Sequence, residues 1–311
     1  MPRYSRVQQM QEAREAKPDW VRVKYPTGES YEKIRGILRN HNLHTVCEEA
    51  HCPNVAECWG GGTATFMLMG DKCTRGCRFC MVNSGNPHGA LDTLEPMKVA
   101  QTIAELGLRY VVITSVDRDD LPDRGAGHFA STIKAIKQRD PNVITEVLIP
   151  DFQGDIGSIR TVAEAGPEVI AHNIETTETL TPTIRDLRAT YRQSLRVLQA
   201  IKQVKPTVYS KTSMMLGLGE TEEDLLQAMH DLRSVNVDIL TLGQYLRPSK
   251  GHIPVSEYVT PEKFDHYKKL AEETGFLYVA SGPFVRSSYR AGEFFVEALI
   301  RKKNLQLSVN S

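Results

Sequence analysis

The sequence predicts an α/β fold of the barrel type, and three observations carry that expectation. Beyond Thr63, short apolar segments alternate with amphipathic ones along most of the remaining chain. Such βα alternation means parallel strands joined by right-handed crossovers. Polar and charged residues gather where the apolar segments end, the place where barrel enzymes keep their chemistry. The 311 residues also give room for one large barrel or two modest domains. Six or seven units suit a partial or complete barrel better than an open doubly wound sheet. Periodicity alone does not separate the two.

In chain order, residues 1–26 are polar, with Pro18 and Pro26 as punctuation. Tyr31, Ile34, Ile37 and Leu38 then recur at helical spacing and predict a helix over 29–41. After a first group of cysteines, Gly60-Gly61-Gly62 reads as a flexible break. Strands are expected at Thr65–Met69, Tyr110–Thr114, Ile144–Ile149, Val169–Asn173, Val208–Met215, Ile239–Tyr245 and Leu277–Ala280. Helices are expected near 96–106, 127–138, 156–165, 190–203, 222–233 and 262–274. Thr221 is an N-cap with Asp224 at the third helical position, and Thr260-Pro261 sets a cap before a proline at the first. Lys302–Ser311 reads as a frayed polar tail.

Composition is that of an ordinary globular chain, 41% hydrophobic and 24% charged. Lys plus Arg equals Asp plus Glu at 38 each, so no net field argues for nucleic acid or an anionic membrane. No apolar run approaches the roughly 20 residues that cross a bilayer. The stretch Met1–Lys17 lacks the apolar core of a secretory signal, so a cytoplasmic location is expected.

All six cysteines fall between positions 47 and 80, a distribution unlike a disulfide framework and suggestive of metal. Cys73, Cys77 and Cys80 are spaced C-x3-C-x2-C on a loop leaving the first expected strand. Thiolates are the usual ligands of iron–sulfur clusters, and a cubane takes four, so three thiols leave one iron open to a small molecule. Cys47, Cys52 and Cys58 are spaced C-x4-C-x5-C. Six thiolates exceed the four sites of one cubane, which points to a second cluster whose fourth ligand comes from elsewhere. Zinc is the competing occupant of this group, because His44 and His51 can complete a Cys3His set. No histidine lies inside the Cys73–Cys80 loop, where His88 is the nearest.

The C-x3-C-x2-C loop resembles that of the radical S-adenosylmethionine (SAM) superfamily. Together the motifs resemble the lipoyl synthase family over about Lys17 to Ile300. Beside the two cysteine groups they include Lys17-Pro18-Asp19-Trp20-Val21-Arg22, Pro150-Asp151-Phe152 and His172-Asn173-Ile174-Glu175-Thr176. Gln244-Tyr245-Leu246-Arg247-Pro248-Ser249 and Arg286-Ser287-Ser288-Tyr289 complete the set. The resemblance implies an incomplete (β/α)6 barrel over 63–285, an extension over 1–62 carrying an auxiliary cluster, and a capping segment over 286–311. It implies two 4Fe–4S clusters and SAM, and insertion of two sulfur atoms at C6 and C8 of octanoyl-lysine on lipoyl-carrier domains. By the same resemblance, Cys73, Cys77 and Cys80 hold the radical-generating cluster. Cys47, Cys52, Cys58 and Ser288 hold the sulfur-donating one, with Arg286 offsetting its charge. An electron donor and a cluster-repair protein are the further partners it implies. On sequence alone, the two serines are read as caps of a helix beginning near Tyr289. The rival functions are another radical SAM sulfur inserter, of the biotin synthase or methylthiotransferase kind, and a non-catalytic zinc or iron–sulfur interaction module.

Among the remaining polar residues, Ser115, Asp117, Asn173, Glu175 and Lys211 lie near expected strand ends and are candidates to hold SAM. Asn173 and Glu175, two apart on a strand, point the same way and suit ribose hydroxyls. Arg185, Arg188, Arg192 and Arg196 stand near helical spacing, as a solvated face or as a contact for an acidic carrier or the SAM carboxylate.

Overall fold

The computed structural model describes residues 17–21, 29–41, 43–49, 54–60, 65–288, 298 and 300. Cys52, His51, the expected Gly61-Gly62 break, Tyr289 and the tail from Lys302 lie outside the described residues.

Seven parallel strands form the centre: β1 (Thr65–Leu68), β2 (Tyr110–Ser115), β3 (Ile144–Leu148), β4 (Val169–Ala171), β5 (Tyr209–Leu216), β6 (Ile239–Gln244) and β7 (Tyr278–Gly282). Each is bonded to the next in chain order, and among the described residues β1 and β7 do not close on each other. The antiparallel pair His44–Thr45 covers the free edge of β1. This open sheet is consistent with the partial barrel that the resemblance implies, with one strand more than six βα units.

The extension contributes α1 (Glu29–Asn40) and α2 (Val55–Gly60), whose apolar faces meet. Ile34 and Leu38 of α1 are buried, as the helical spacing predicts. Six crossover helices follow: α3 (Glu95–Leu106), α4 (Ala126–Arg139), α5 (Ile156–Glu164), α6 (Tyr191–Val204), α7 (Glu222–Ser234) and α8 (Pro261–Glu273). The caps behave as their sequence signals require. Thr221 Oγ1 accepts from the Asp224 amide at 3.1 Å, and Thr260 caps α8 ahead of Pro261.

Two expected elements differ. The strand expected over Val169–Asn173 stops at Ala171, although the His172 amide still donates to the Lys211 carbonyl at 3.0 Å, and Glu175 beyond it is left-handed at φ 70. The expected strand-end group Lys211-Thr212-Ser213-Met214 lies inside β5, which runs on to Leu216.

Candidate active site

After β1 the chain turns through Met69 (φ 68) and Gly70 (φ 87) into the cysteine loop. Cys73, Cys77 and Cys80 line one cleft at the carboxyl ends of the strands. The base of the loop is closed by Lys72–Cys73 pairing in parallel with Asn83–Ser84.

Arg75, inside the motif, fixes the loop to the barrel. Its side chain is 2% exposed. Nε and Nη2 donate to Asp119 at 2.9 Å each, and Nη1 and Nη2 donate to Asp151 at 2.7 Å each. Asp119 follows β2 and Asp151 follows β3, so one guanidinium joins the loop to two strand ends by paired, charge-assisted bonds. Further ties surround it. Thr74 Oγ1 donates to the Asp117 carbonyl at 3.0 Å, the Gly76 amide donates to Asp186 at 2.9 Å, and Arg188 Nη2 donates to the Thr74 carbonyl at 2.7 Å. His252 Nε2 donates to the Cys80 carbonyl at 3.0 Å.

The thiols themselves receive backbone donors. The Asp117 amide points at Cys73 Sγ and the Asp186 amide at Cys77 Sγ, both at 3.4 Å. Amide hydrogens aimed at sulfur stabilise thiolates and tune cluster sulfur. Burial, followed by the charge of Asp117, pushes Cys73 up to about 12. Burial also pushes Cys80 up to about 11 and raises Cys77. Burial raises Asp117 as well, to about 6, against the pull of Arg75. Three half-buried thiols facing carboxylates ionise readily only beside a cationic centre, and iron is one. Among the described residues no three His, Cys, Asp or Glu side chains are placed to hold a single metal ion. A cubane spreads its ligands over separate irons, and the shared cleft with its thiols and N–H···S donors fits that group.

The facing wall of the cleft carries polar atoms still unsatisfied. Ser115 Oγ, Asn173 Oδ1 and Arg185 Nε are buried and have no hydrogen-bond partner among the described residues, and all three residues line the cleft. Such atoms are costly to bury unless a ligand meets them. Asn173 Nδ2 donates to Glu175 at 3.1 Å, so these two come together as expected, although on a loop and not a strand. The loop is held by the Glu175 amide donating to the Ser213 carbonyl at 3.0 Å and its carbonyl accepting from Met215 at 2.8 Å. Burial raises the Glu175 carboxyl. His172 lies beneath, its ring nitrogens set against the Ile149 carbonyl and Ser194 Oγ at 2.9 Å each. Burial, then the nearby Arg185 charge, lowers it to about 4.

Lys211 is placed elsewhere. It is buried in the barrel interior, donating to Glu146 of β3 at 2.6 Å, while Tyr110 donates to the other oxygen of Glu146 at 2.5 Å. It does not line the cleft. Gln244 is likewise occupied, its amide donating to Glu257 O at 3.0 Å and its oxygen accepting from Val259 at 2.8 Å. The four arginines do not share a helix face: Arg185 and Arg188 precede α6, whereas Arg192 and Arg196 belong to it. Arg185 is buried in the cleft wall, and Arg192 is exposed and paired with Glu178 at 2.6 Å.

Of the first cysteine group, Cys47 and Cys58 are buried against the main core. Ser288 is half-buried in a turn after β7. A contact among the described residues joins these distant stretches: Asn54 Nδ2 donates to the Phe284 carbonyl at 2.7 Å. Sequence reasoning assigned no role to Arg75, Asp119 or Asp186. The available signal was an arginine inside a thiol loop that needs carboxylates to be buried at all.

Comparison with known proteins gives the same direction. Residues 67–232 match the model of the radical SAM superfamily, and residues 3–52 match the N-terminal domain of lipoyl synthase. The chain is 58% identical to the lipoyl synthase of Myxococcus xanthus, over 93% of this chain and 97% of that protein. It is 56% identical to the lipoyl synthase of Thermus thermophilus, over 92% and 88%. It is 55% identical to the mitochondrial lipoyl synthase of Bos taurus, over 92% and 78%. Among solved structures, methylornithine synthase superposes with a TM-score of 0.52 at 15% identity, covering 86% of each chain. An FeFe-hydrogenase maturase of Carboxydothermus hydrogenoformans gives 0.53 at 12% identity, over 88% and 70%. These two likenesses show the fold.

Proposed function

The chain belongs to the lipoyl synthase family of the radical SAM superfamily, and on that premise we propose how its residues divide the work of the reaction. The reaction replaces hydrogen with sulfur at C6 and C8 of an octanoyl chain carried on a lysine. Those carbons are unactivated, so no general base can take a proton from them. Bound in place, a 4Fe–4S cluster with SAM supplies a carbon radical strong enough to abstract such hydrogens, and a second cluster supplies the sulfur.

Cys73, Cys77 and Cys80 hold the first cluster, with Arg75 keeping the loop in register on the barrel. Asn173 and Glu175 accept hydrogen bonds from the SAM ribose, while Arg185 Nε and Ser115 Oγ meet its amino-acid end. Asp117 presents its amide to Cys73 and helps shape the cleft. Lys211 is left out of this set, being bonded to Glu146. Cys47, Cys52, Cys58 and Ser288 hold the second cluster, and Arg286 offsets its charge. The contact between Asn54 and Phe284 supports bringing the C-terminal turn to that cysteine stretch. The reading extends to an electron donor, a cluster-repair protein and a cytoplasmic setting. No helix among the described residues is long and apolar enough to cross a membrane.

The observation that carries the proposal is the shared cleft, with three thiols on one wall and unsatisfied polar atoms on the other. Anaerobic turnover of an octanoyl-lysine peptide with SAM and reductant tests it. Formation of lipoyl-lysine with 5′-deoxyadenosine is expected from the loaded protein. Deoxyadenosine without sulfur insertion would reject the division of labour.

A further inference from the structure

Two contacts outside the cleft converge on the same piece of backbone. Asn54 is buried between Cys52 and Cys58 of the sequence, and its amide donates to the Phe284 carbonyl at 2.7 Å. One residue on, the Val285 carbonyl rests on Gly243 of β6. A Cβ at Gly243 would stand 2.1 Å from that oxygen and 3.0 Å from its carbon, so no larger residue fits there without moving the segment. Gly243 is not among the residues with positive φ, which makes close approach its reason for being glycine. Val285 is buried, and its amide donates back to the Gly282 carbonyl at 3.1 Å, closing the turn out of β7.

Consecutive carbonyls are therefore met by two distant stretches just ahead of Ser287-Ser288, the Phe284 oxygen bonded by Asn54 and the Val285 oxygen seated in the space that Gly243 leaves open. Both contacts fall on backbone, and Arg286 Nη1 adds a bond to the same Val285 carbonyl at 2.7 Å. Asn54 also accepts from the Cys58 amide at 2.9 Å, at the start of α2. We infer that Asn54 is a positioning residue, which with Gly243 as its seat delivers Ser288 to the auxiliary cluster. The inference rests on the assignment of Ser288 as a ligand. It also explains how such a ligand serves. A serine oxygen is the poorest match to iron–sulfide chemistry in the set, so the protein must supply by position what the bond does not supply by strength. An amide donor suits the task, whereas an aspartate of the same size would set a carboxylate oxygen against the carbonyl oxygen.

The test uses the full chain with both clusters loaded anaerobically, in the variants Asn54→Asp, Gly243→Ala and Ser288→Ala. Hydrogen exchange at 284–288 and the rate at which a chelator removes iron are measured. Asn54→Asp and Gly243→Ala are each expected to raise exchange and to speed loss of the auxiliary iron about tenfold. The iron held by Cys73, Cys77 and Cys80 should leave at its unaltered rate. Ser288→Ala should speed the auxiliary loss while leaving exchange at 284–286 unchanged. Wild-type exchange and iron loss in Asn54→Asp, alongside accelerated loss in Ser288→Ala, would overturn the inference alone. Normal iron retention in Ser288→Ala would overturn the ligand assignment beneath it.

Discussion

The loop of Cys73, Cys77 and Cys80 is braced by side chains from four parts of the barrel: Asp119, Asp151, Asp186 with Arg188, and His252. Among the described residues, the stretch containing Cys47 and Cys58 is attached differently. It meets the fold through a two-residue strand, apolar packing and the bond from Asn54 to Phe284. The difference follows from position. A loop at the mouth of the barrel can be tied to many strand ends at once, and that rigidity suits a cluster reused at every turnover. On the proposed assignment, a site shared by this stretch and the turn carrying Ser288 suits a cluster that gives up its sulfur and is rebuilt.

The largest expected effect comes from deleting ligands on either side. Cys73→Ala should abolish SAM cleavage. Cys58→Ala should keep SAM cleavage and lose lipoyl product, as read by mass spectrometry of an octanoyl peptide. Lipoyl product from a folded Cys58→Ala protein would break the comparison.

Next come the buried charges. Arg75→Met leaves buried Asp151 without its cation and Asp119 with Arg188 alone at 3.1 Å, which should cost about 3–5 kcal/mol by denaturant titration. Lys211→Met strands Glu146 in the same way and should cost a similar amount. The two variants separate in loaded iron: Arg75→Met should lose the radical-SAM cluster, and Lys211→Met should retain it. Pairing Lys211→Met with Glu146→Gln should recover most of the stability and bind SAM normally. Loss of SAM binding in that folded double variant would return Lys211 to the site.

A smaller effect is expected with pH. Burial holds His172 neutral and lowers it from 6.5 to about 4. Below pH 6.5 the unfolded chain takes up a proton that the folded protein refuses, so stability falls as pH drops from 6.5 towards 4. The loss is on the order of 2–3 kcal/mol, and it should be blunted in His172→Gln. Equal slopes for the two proteins would show that His172 contributes nothing.

Much of this was legible in sequence where the signal is local. Short apolar runs marked all seven strands, and Thr221 and Thr260 marked their helix starts. The thiol spacing placed the cleft. The partners of Arg75 lie 44 and 76 residues away, and no local pattern pairs an arginine with particular acids at that distance. Lys211 shows another limit. Alternation gives the face of a strand but not the depth, and Lys211 is only the third residue of β5. The Glu175 loop was hidden because a left-handed glutamate has no sequence signature; its conformation is imposed by bonds to β5.

The central claim is that one cysteine set makes the radical and the other is consumed as sulfur. The most direct measurement is a single incubation of protein whose clusters carry heavy-isotope sulfide, with octanoyl peptide, SAM, reductant and no other sulfur source. The account predicts about one lipoyl group per chain, with both sulfur atoms carrying the heavy isotope. Unlabelled sulfur in the product, or many turnovers per chain, would contradict it.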